Sequence, residues 1–152
     1  MIAAVGRPKD QALAAAIRDY ETRAARYWPV EIIEVKAERS DAATPAATAR
    51  AREGERLRQR VGTAVTTVAC AASGQPMSSE RFAAWLQSER EGARDVAFMI
   101  GGAFGLDDGL RDGARMRLSL APWTLPHELA RLVLAEQLYR AGTIIRGEPY
   151  HK

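Results

Sequence analysis

Three glycines in five positions follow a short apolar run and give the stretch with the clearest chemical potential, Ile100-Gly101-Gly102-Ala103-Phe104-Gly105-Leu106. Glycine permits positive φ and lets backbone N–H groups approach a ligand closely, so such a turn can hold a cofactor. The spacing matches neither the G-x-G-x-x-G dinucleotide fingerprint nor a P-loop. From the spacing alone, a tight turn after a strand and a ligand-binding loop are equally open interpretations.

The sequence contains two histidines, His127 and His151, and these are the side chains suited to acid–base chemistry near neutral pH. His127 follows Pro126 at a predicted helix start, where its role is either chemical or structural. His151 belongs to the terminal sequence Tyr150-His151-Lys152, a position where frayed ends are common. The single cysteine, Cys70, excludes an internal disulfide, and no His, Cys or carboxylate cluster has metal-ligand spacing, so we expect no metal.

Composition places the chain among ordinary soluble globular proteins, with 152 residues of which 47% are apolar and 27% charged. This length predicts a single domain over residues 1–152. The net charge of +3 permits a polyanionic partner without requiring one. The sequence shows neither a signal-peptide pattern nor an apolar run long enough for a membrane span. We therefore predict a cytoplasmic protein with no membrane partner.

Strands that alternate with helices must position the candidate residues. Strand patterns occupy residues 1–5, 30–35, 61–72, 95–100 and 116–120. Five helical patterns lie between and after these strands. The first covers residues 13–27, and the second is a charged segment with Pro45 near its start. The others run from Ser78 or Ser79 to Gly92, over residues 107–114, and from Pro126 onward. The alternation predicts an α/β fold with a parallel sheet flanked by helices. Ligands in such sheets bind at the carboxyl ends of strands, which selects the loops at 71–74, 101–105 and 121–125.

Charged and aromatic residues elsewhere receive structural interpretations by default. Five arginines crowd the second helix, namely Arg50, Arg52, Arg56, Arg58 and Arg60. We interpret them as a solvated face balanced by Glu53 and Glu55, and an RNA contact is the open alternative. We assign the tryptophans to the core, namely Trp28, Trp85 and Trp123.

Four blocks in the last third of the chain carry a resemblance to a known family. They are Leu118-Ser119-Leu120, Leu125-Pro126-His127, Glu136-Gln137-Leu138-Tyr139-Arg140-Ala141 and Tyr150-His151-Lys152. With the glycine stretch, they are similar to the RlmH-type ribosomal RNA large subunit methyltransferases, which are pseudouridine N3-methyltransferases of the SPOUT superfamily. The resemblance covers essentially the full length. It implies a C-terminal trefoil knot within the α/β fold and an obligate homodimer.

The resemblance also implies S-adenosylmethionine as cofactor. The implied binding residues are Cys70, Ala71, Gly101, Gly102, Leu120, Ala121, Pro122, Trp123, Thr124, Leu125 and Pro126. One departure stands out. Family members usually carry an acidic residue in a Leu-Asp-x-x-Gly pattern, whereas this chain has Cys70-Ala71-Ala72-Ser73-Gly74. Ala71 therefore offers no side-chain hydrogen bond.

The implied substrate is a pseudouridine of 23S rRNA in the assembled ribosome, methylated at N3. The implied catalytic candidates are His151, Tyr150, His127 and Arg140, with Arg146 and Lys152 directed toward RNA. Arg140 and Arg146 would contact RNA or anchor the tail. Tyr150 and His151 would bind or deprotonate the acceptor base. Two alternatives stay open. One is a SPOUT enzyme that methylates another RNA such as tRNA, and the other is a non-catalytic ribosome- or nucleotide-binding module, favoured only by Ala71.

Overall fold

The computed structural model describes residues 1–39 and 44–151. Its sheet contains five parallel strands, β1 (Ile2–Val5), β2 (Ile32–Val35), β3 (Thr66–Pro76), β4 (Val96–Ile100) and β5 (Met116–Ser119). Their order across the sheet is β2-β1-β4-β3-β5. The flanking helices are α1 (Gln11–Ala24), α2 (Ala46–Val61), α3 (Ser79–Glu91), α4 (Asp108–Gly113) and α5 (His127–Ile145). The predicted α/β fold with a parallel sheet is confirmed, and the knot stays a prediction.

Each face of the sheet is covered by its own set of helices. Ile2 and Ala4 of β1 point into a core shared with α1, α3 and α5. Their neighbours Ala3 and Val5 point into a second core shared with α2 and α4. A strand buried on both faces needs apolar side chains at successive positions, which explains the unbroken apolar runs of β1 and β4.

The helices begin where the sequence supplies starting signals. The Asp10 side chain accepts a hydrogen bond from the backbone N–H of Leu13, at 2.8 Å, and caps α1. Ser78 caps α3 in the same way, while Pro45 and Pro126 precede α2 and α5. The predicted starts of these last three helices are confirmed. Among the described residues, no helix is both long and apolar enough to cross a lipid bilayer.

The third strand differs from its prediction at both ends. Val61 is the last residue of α2, and its side chain is buried in the core between α2, α4 and the sheet, which accounts for its strand-like residue type. The strand instead continues to Pro76 through an irregularity in which Cys70 and Gln75 both pair with Leu118. Ser73 and Gly74 therefore lie in a bulge of β3 rather than in a closing turn. The bulge carries the chain outward at the carboxyl edge of the sheet.

A buried ion network fixes α5 against the rest of the domain core. The Arg131 side chain is only 6% exposed and donates to Glu21 of α1 and to Glu34 of β2, both at 2.7 Å. A buried guanidinium requires such partners, because an unpaired charge in the interior is costly. The network orients the first turns of α5, including His127.

Candidate active site at the carboxyl edge of the sheet

A cavity of about 820 Å³ opens at the carboxyl ends of β3 and β4. We call it the strand-end cavity. Its walls come from the three segments that the sequence selects, with contributions from α2, α4 and the start of α5; the first segment, 71–74, belongs to the β3 bulge and is not a loop. The lining residues predicted from the sequence are Cys70, Ala71, Gly101, Gly102, Leu120, Ala121, Trp123, Thr124, Leu125, Pro126 and His127. Pro122 lies in the same loop but is not part of the lining.

The glycine loop is a tight turn and also a wall of this cavity. Gly105 has a φ of +82° and its N–H donates to the carbonyl of Gly102 at 3.0 Å, which folds the loop back on itself. A Cβ at Gly101 would lie 2.5 Å from the Gly105 carbonyl oxygen, so no side chain fits at that position. Backbone atoms therefore form this wall, as a site that holds a ligand through its own peptide groups requires.

The side chains that β3 contributes to the cavity are small and uncharged. Cys70 is half-buried, and burial raises the pKa of its thiol to about 12, so the side chain is a neutral thiol at physiological pH. The methyl group of Ala71 lines the cavity next to it. This wall consequently provides packing surface, backbone groups and the hydroxyl of Ser73, and it contains no carboxylate.

The loop after β5 forms the opposite wall. The Ser119 hydroxyl donates to the carbonyl of Ala121 at 2.7 Å and so fixes the entry to the loop. Trp123 is 76% exposed at the rim of the cavity, so its assignment to the core is wrong. Trp123 lies in the loop after β5, which is a short strand at the edge of the sheet. Its ring therefore projects to solvent and does not reach the core. Trp28 and Trp85 pack against the core as predicted.

Charged groups at the cavity were only partly visible in the sequence. His127 is half-buried in the first turn of α5, with Nε2 3.9 Å from a carboxylate oxygen of Glu128. Arg50, Asp108 and Arg111 also line the cavity, and Asp108 pairs with Arg111 at 2.9 Å and with Arg50 at 3.7 Å. Nothing in the local sequence distinguishes these three from other surface charges.

Most arginines of α2 are paired, and of the two carboxylates expected to balance them only Glu55 does so. Arg52 and Arg56 contact Glu38, and Arg58 contacts both Asp107, at 2.7 Å, and Glu55. The solvated face is thus confirmed in outline. Glu53, however, is only 3% exposed and does not belong to that face. The prediction that Glu53 balances the surface arginines is wrong.

Comparison with known proteins identifies the family. Residues 1–151 match the family described as "Predicted SPOUT methyltransferase". The chain belongs to this family. It is 60% identical to the ribosomal RNA large subunit methyltransferase H of Gemmatimonas aurantiaca over 97% of this chain and 96% of the relative. It is also 45% identical to the protein of that name from an Anaeromyxobacter species, over 99% and 97% of the two chains. The protein of that name from Limosilactobacillus fermentum is 41% identical, over 99% and 98%.

The carboxyl-terminal tail of this SPOUT methyltransferase is packed rather than frayed. The Tyr150 ring packs against the Tyr139 ring in a tilted arrangement with centroids 4.6 Å apart, and its hydroxyl donates to Glu136 at 3.0 Å. Nε2 of His151 lies 2.7 Å from a carboxylate oxygen of Glu80 in the first turn of α3. A short 3₁₀ turn, Pro149–His151, carries both tail residues. None of the described tail residues lines the strand-end cavity.

Of the two candidate arginines, Arg140 contacts the tail and Arg146 contacts Tyr27. Arg140 contacts Glu136 and lies over the Tyr150 ring, 4.8 Å from its centroid. Arg146 lies over the Tyr27 ring at 4.8 Å and is exposed to solvent. Arg140 therefore fits the predicted role of anchoring the tail. The anchoring role of Arg146, and the contact of either arginine with RNA, stay predictions. Lys152 lies outside the described residues.

Proposed function

We propose that this SPOUT methyltransferase transfers a methyl group from S-adenosylmethionine to N3 of a pseudouridine in large-subunit rRNA, on the assembled ribosome in the cytoplasm. One observation carries the proposal. The three segments selected from the sequence as donor-binding meet in one cavity of about 820 Å³. The names of these relatives, each a ribosomal RNA large subunit methyltransferase, support the choice of RNA.

The residues of the strand-end cavity fit this donor. Its glycine wall presents peptide groups to a ligand, because Gly101 and Gly102 have no side chains to intervene. Leu120 and Leu125 supply apolar surface for the adenosyl portion, and Ala71 leaves space beside them. When bound, S-adenosylmethionine supplies a methyl group that its sulfonium already activates. The chain must therefore orient the acceptor, exclude water and remove one proton from N3.

The tail and His127 provide the groups for handling that proton. Burial, followed by the hydrogen bonds with Tyr20 and Glu136, raises the pKa of the Tyr150 phenol, which keeps it protonated at neutral pH. Tyr150 is therefore suited to holding the acceptor base by stacking and hydrogen bonding. We assign proton removal from N3 to the imidazole of His151, and we assign His127 to orienting the acceptor within the cavity. Arg146 and Lys152 would contact phosphates.

A homodimer would bring a tail to the cavity. The outward side of α5 carries three half-buried apolar side chains at helical spacing, Leu129, Leu132 and Val133. We call them the outer stripe of α5. It lies on the same helix between His127, at the cavity, and Glu136, where the tail packs. A second copy of the chain packed on the outer stripe would cover apolar surface and place its tail toward this cavity.

Replacing Leu132 by glutamate is expected to convert the protein to a monomer, because a charge in an apolar interface is not compensated. Sedimentation velocity at about micromolar concentration should give twice the chain mass of 16.6 kDa for wild type and the single mass for the variant. The matched control is Ala51→Glu, which adds the same charge at an exposed position of α2 on the other face of the sheet. A monomeric wild type, or a dimeric Leu132→Glu variant, would contradict the proposed interface.

Donor binding can be followed through Trp123. Adding S-adenosylmethionine is expected to shift tryptophan emission to shorter wavelengths, because the ring is 76% exposed at the cavity rim and loses water when the loop closes on a ligand. The Trp123→Phe variant should bind the donor and lose the signal, since the other two tryptophans pack against the core. The proposed site would be contradicted if the donor binds and the shift persists in Trp123→Phe.

A further inference from the structure

Glu53 of α2 has a buried carboxylate, and it has no role in the reaction proposed above. Its Oε1 accepts a hydrogen bond from the backbone N–H of Glu38 at 2.8 Å. Its Oε2 is buried and has no hydrogen-bond partner among the described residues. Burial raises the pKa of this carboxyl above its ordinary value, and the hydrogen bond from Glu38 opposes that rise.

This carboxylate lies directly behind the glycine wall of the strand-end cavity. A Cβ at Gly102 would be 2.9 Å from Oε2 and 3.2 Å from Oε1 of Glu53. Gly102 itself lines the cavity. Because Gly102 has no side chain, only its backbone separates the negative charge from a ligand in the cavity. The field of a buried charge is weakly screened over such a distance.

The fold does not need this charge. A neutral amide at position 53 would keep the hydrogen bond that Oε1 accepts from Glu38. It would replace an unpaired carboxylate oxygen by a neutral NH2 group, which costs less to bury than a charge. Arg56, a cation of the same helix, donates hydrogen bonds to the carboxylate of Glu38 and to the carbonyl of Lys36. From α5, His127 faces the same region. The charge of Glu53 is thus largely uncompensated beside the cavity.

We propose that Glu53 makes the strand-end cavity selective for a cationic ligand, the sulfonium form of the methyl donor, over the neutral thioether that remains after methyl transfer. The inference rests on the proposed function. Attraction between the carboxylate and a sulfonium acts through the Gly102 backbone without direct contact. S-adenosylhomocysteine lacks the sulfonium charge and receives no such attraction, so the spent cofactor leaves more readily than fresh donor.

The test compares two ligands by calorimetry, S-adenosylmethionine and S-adenosylhomocysteine. The wild-type protein should bind S-adenosylmethionine more tightly than S-adenosylhomocysteine. In Glu53→Gln, the ratio of the two dissociation constants should fall on the order of tenfold, the effect expected of one charge at several ångströms in a protein environment. The affinity for S-adenosylhomocysteine should stay within about threefold, since a neutral ligand does not sense the charge. The melting temperature should equal or exceed that of wild type, because a buried unpaired charge is removed.

Two variants serve as controls. Glu53→Asp keeps the charge and should keep the preference for the sulfonium ligand. Glu55→Gln removes a carboxylate of the same helix that is 57% exposed, and should leave the preference unchanged. An unchanged ratio in Glu53→Gln would overturn the inference, and so would an equal loss for both ligands, which indicates a merely structural role. Equal binding of the two ligands by wild type would overturn it without any variant. Failure of wild type to bind either ligand would instead overturn the proposed function.

Discussion

Replacing Gly101 by alanine is expected to lower the affinity for S-adenosylmethionine by about a hundredfold or more. The added Cβ would lie 2.5 Å from the Gly105 carbonyl oxygen, with two other backbone atoms of the glycine loop closer still. Backbone cannot rotate away as a side chain can, so the loop must open and the peptide groups that face the ligand must move. Calorimetric titration with the donor measures the loss, and thermal unfolding measures the accompanying strain.

The matched control for this variant is Gly113→Ala. A Cβ at Gly113 meets no atom within 4 Å, and its backbone does not require glycine. Its affinity for the donor should stay within about threefold of wild type, as is usual for an unconstrained surface substitution. Donor binding of wild-type strength by the Gly101→Ala variant would show that the glycine loop does not hold the ligand.

Replacing His151 by alanine is expected to lower the rate of methyl transfer about a hundredfold, the usual contribution of one general base. Donor affinity and melting temperature should change little, because the side chain is half-buried near Glu80 and does not line the strand-end cavity. Single-turnover transfer of labelled methyl to ribosomes that lack the modification measures the rate, and titration measures the affinity.

Glu80→Gln provides the control for His151. It removes the negative partner of the imidazole while keeping an oxygen acceptor at the same place, so transfer should stay within about threefold of wild type. A His151→Ala variant that retains the wild-type rate would exclude the tail as the proton acceptor. The candidate base would then be His127, the other histidine, which lines the cavity.

The sheet and the position of the cavity could be predicted from the sequence, because both depend on local patterns. An apolar run such as β4 is buried on both faces wherever it lies in a parallel sheet. Parallel strands share one carboxyl edge, so loops far apart in sequence converge there without further information. The glycine loop and the Leu120–Pro126 segment meet for this reason.

The features that were predicted wrongly or missed depend on long-range contacts. Glu53 stands among arginines in the sequence, yet α2 turns it inward under Gly102, nearly fifty residues later. The pairs of Arg131 with Glu21 and Glu34 span 110 and 97 residues, distances at which spacing carries no signal. The start of β3 was misplaced because a β-branched residue such as Val61 suits a buried helix end as well as a strand.

The most direct test is methyl transfer from labelled S-adenosylmethionine by purified wild-type protein to three substrates: ribosomes lacking the modification, free rRNA and tRNA. We expect label at N3 of a pseudouridine in the large-subunit rRNA when assembled ribosomes are the substrate, and far less label in free rRNA or tRNA. Label in tRNA alone, or no transfer to ribosomes by a protein that binds the donor, would contradict the proposed function.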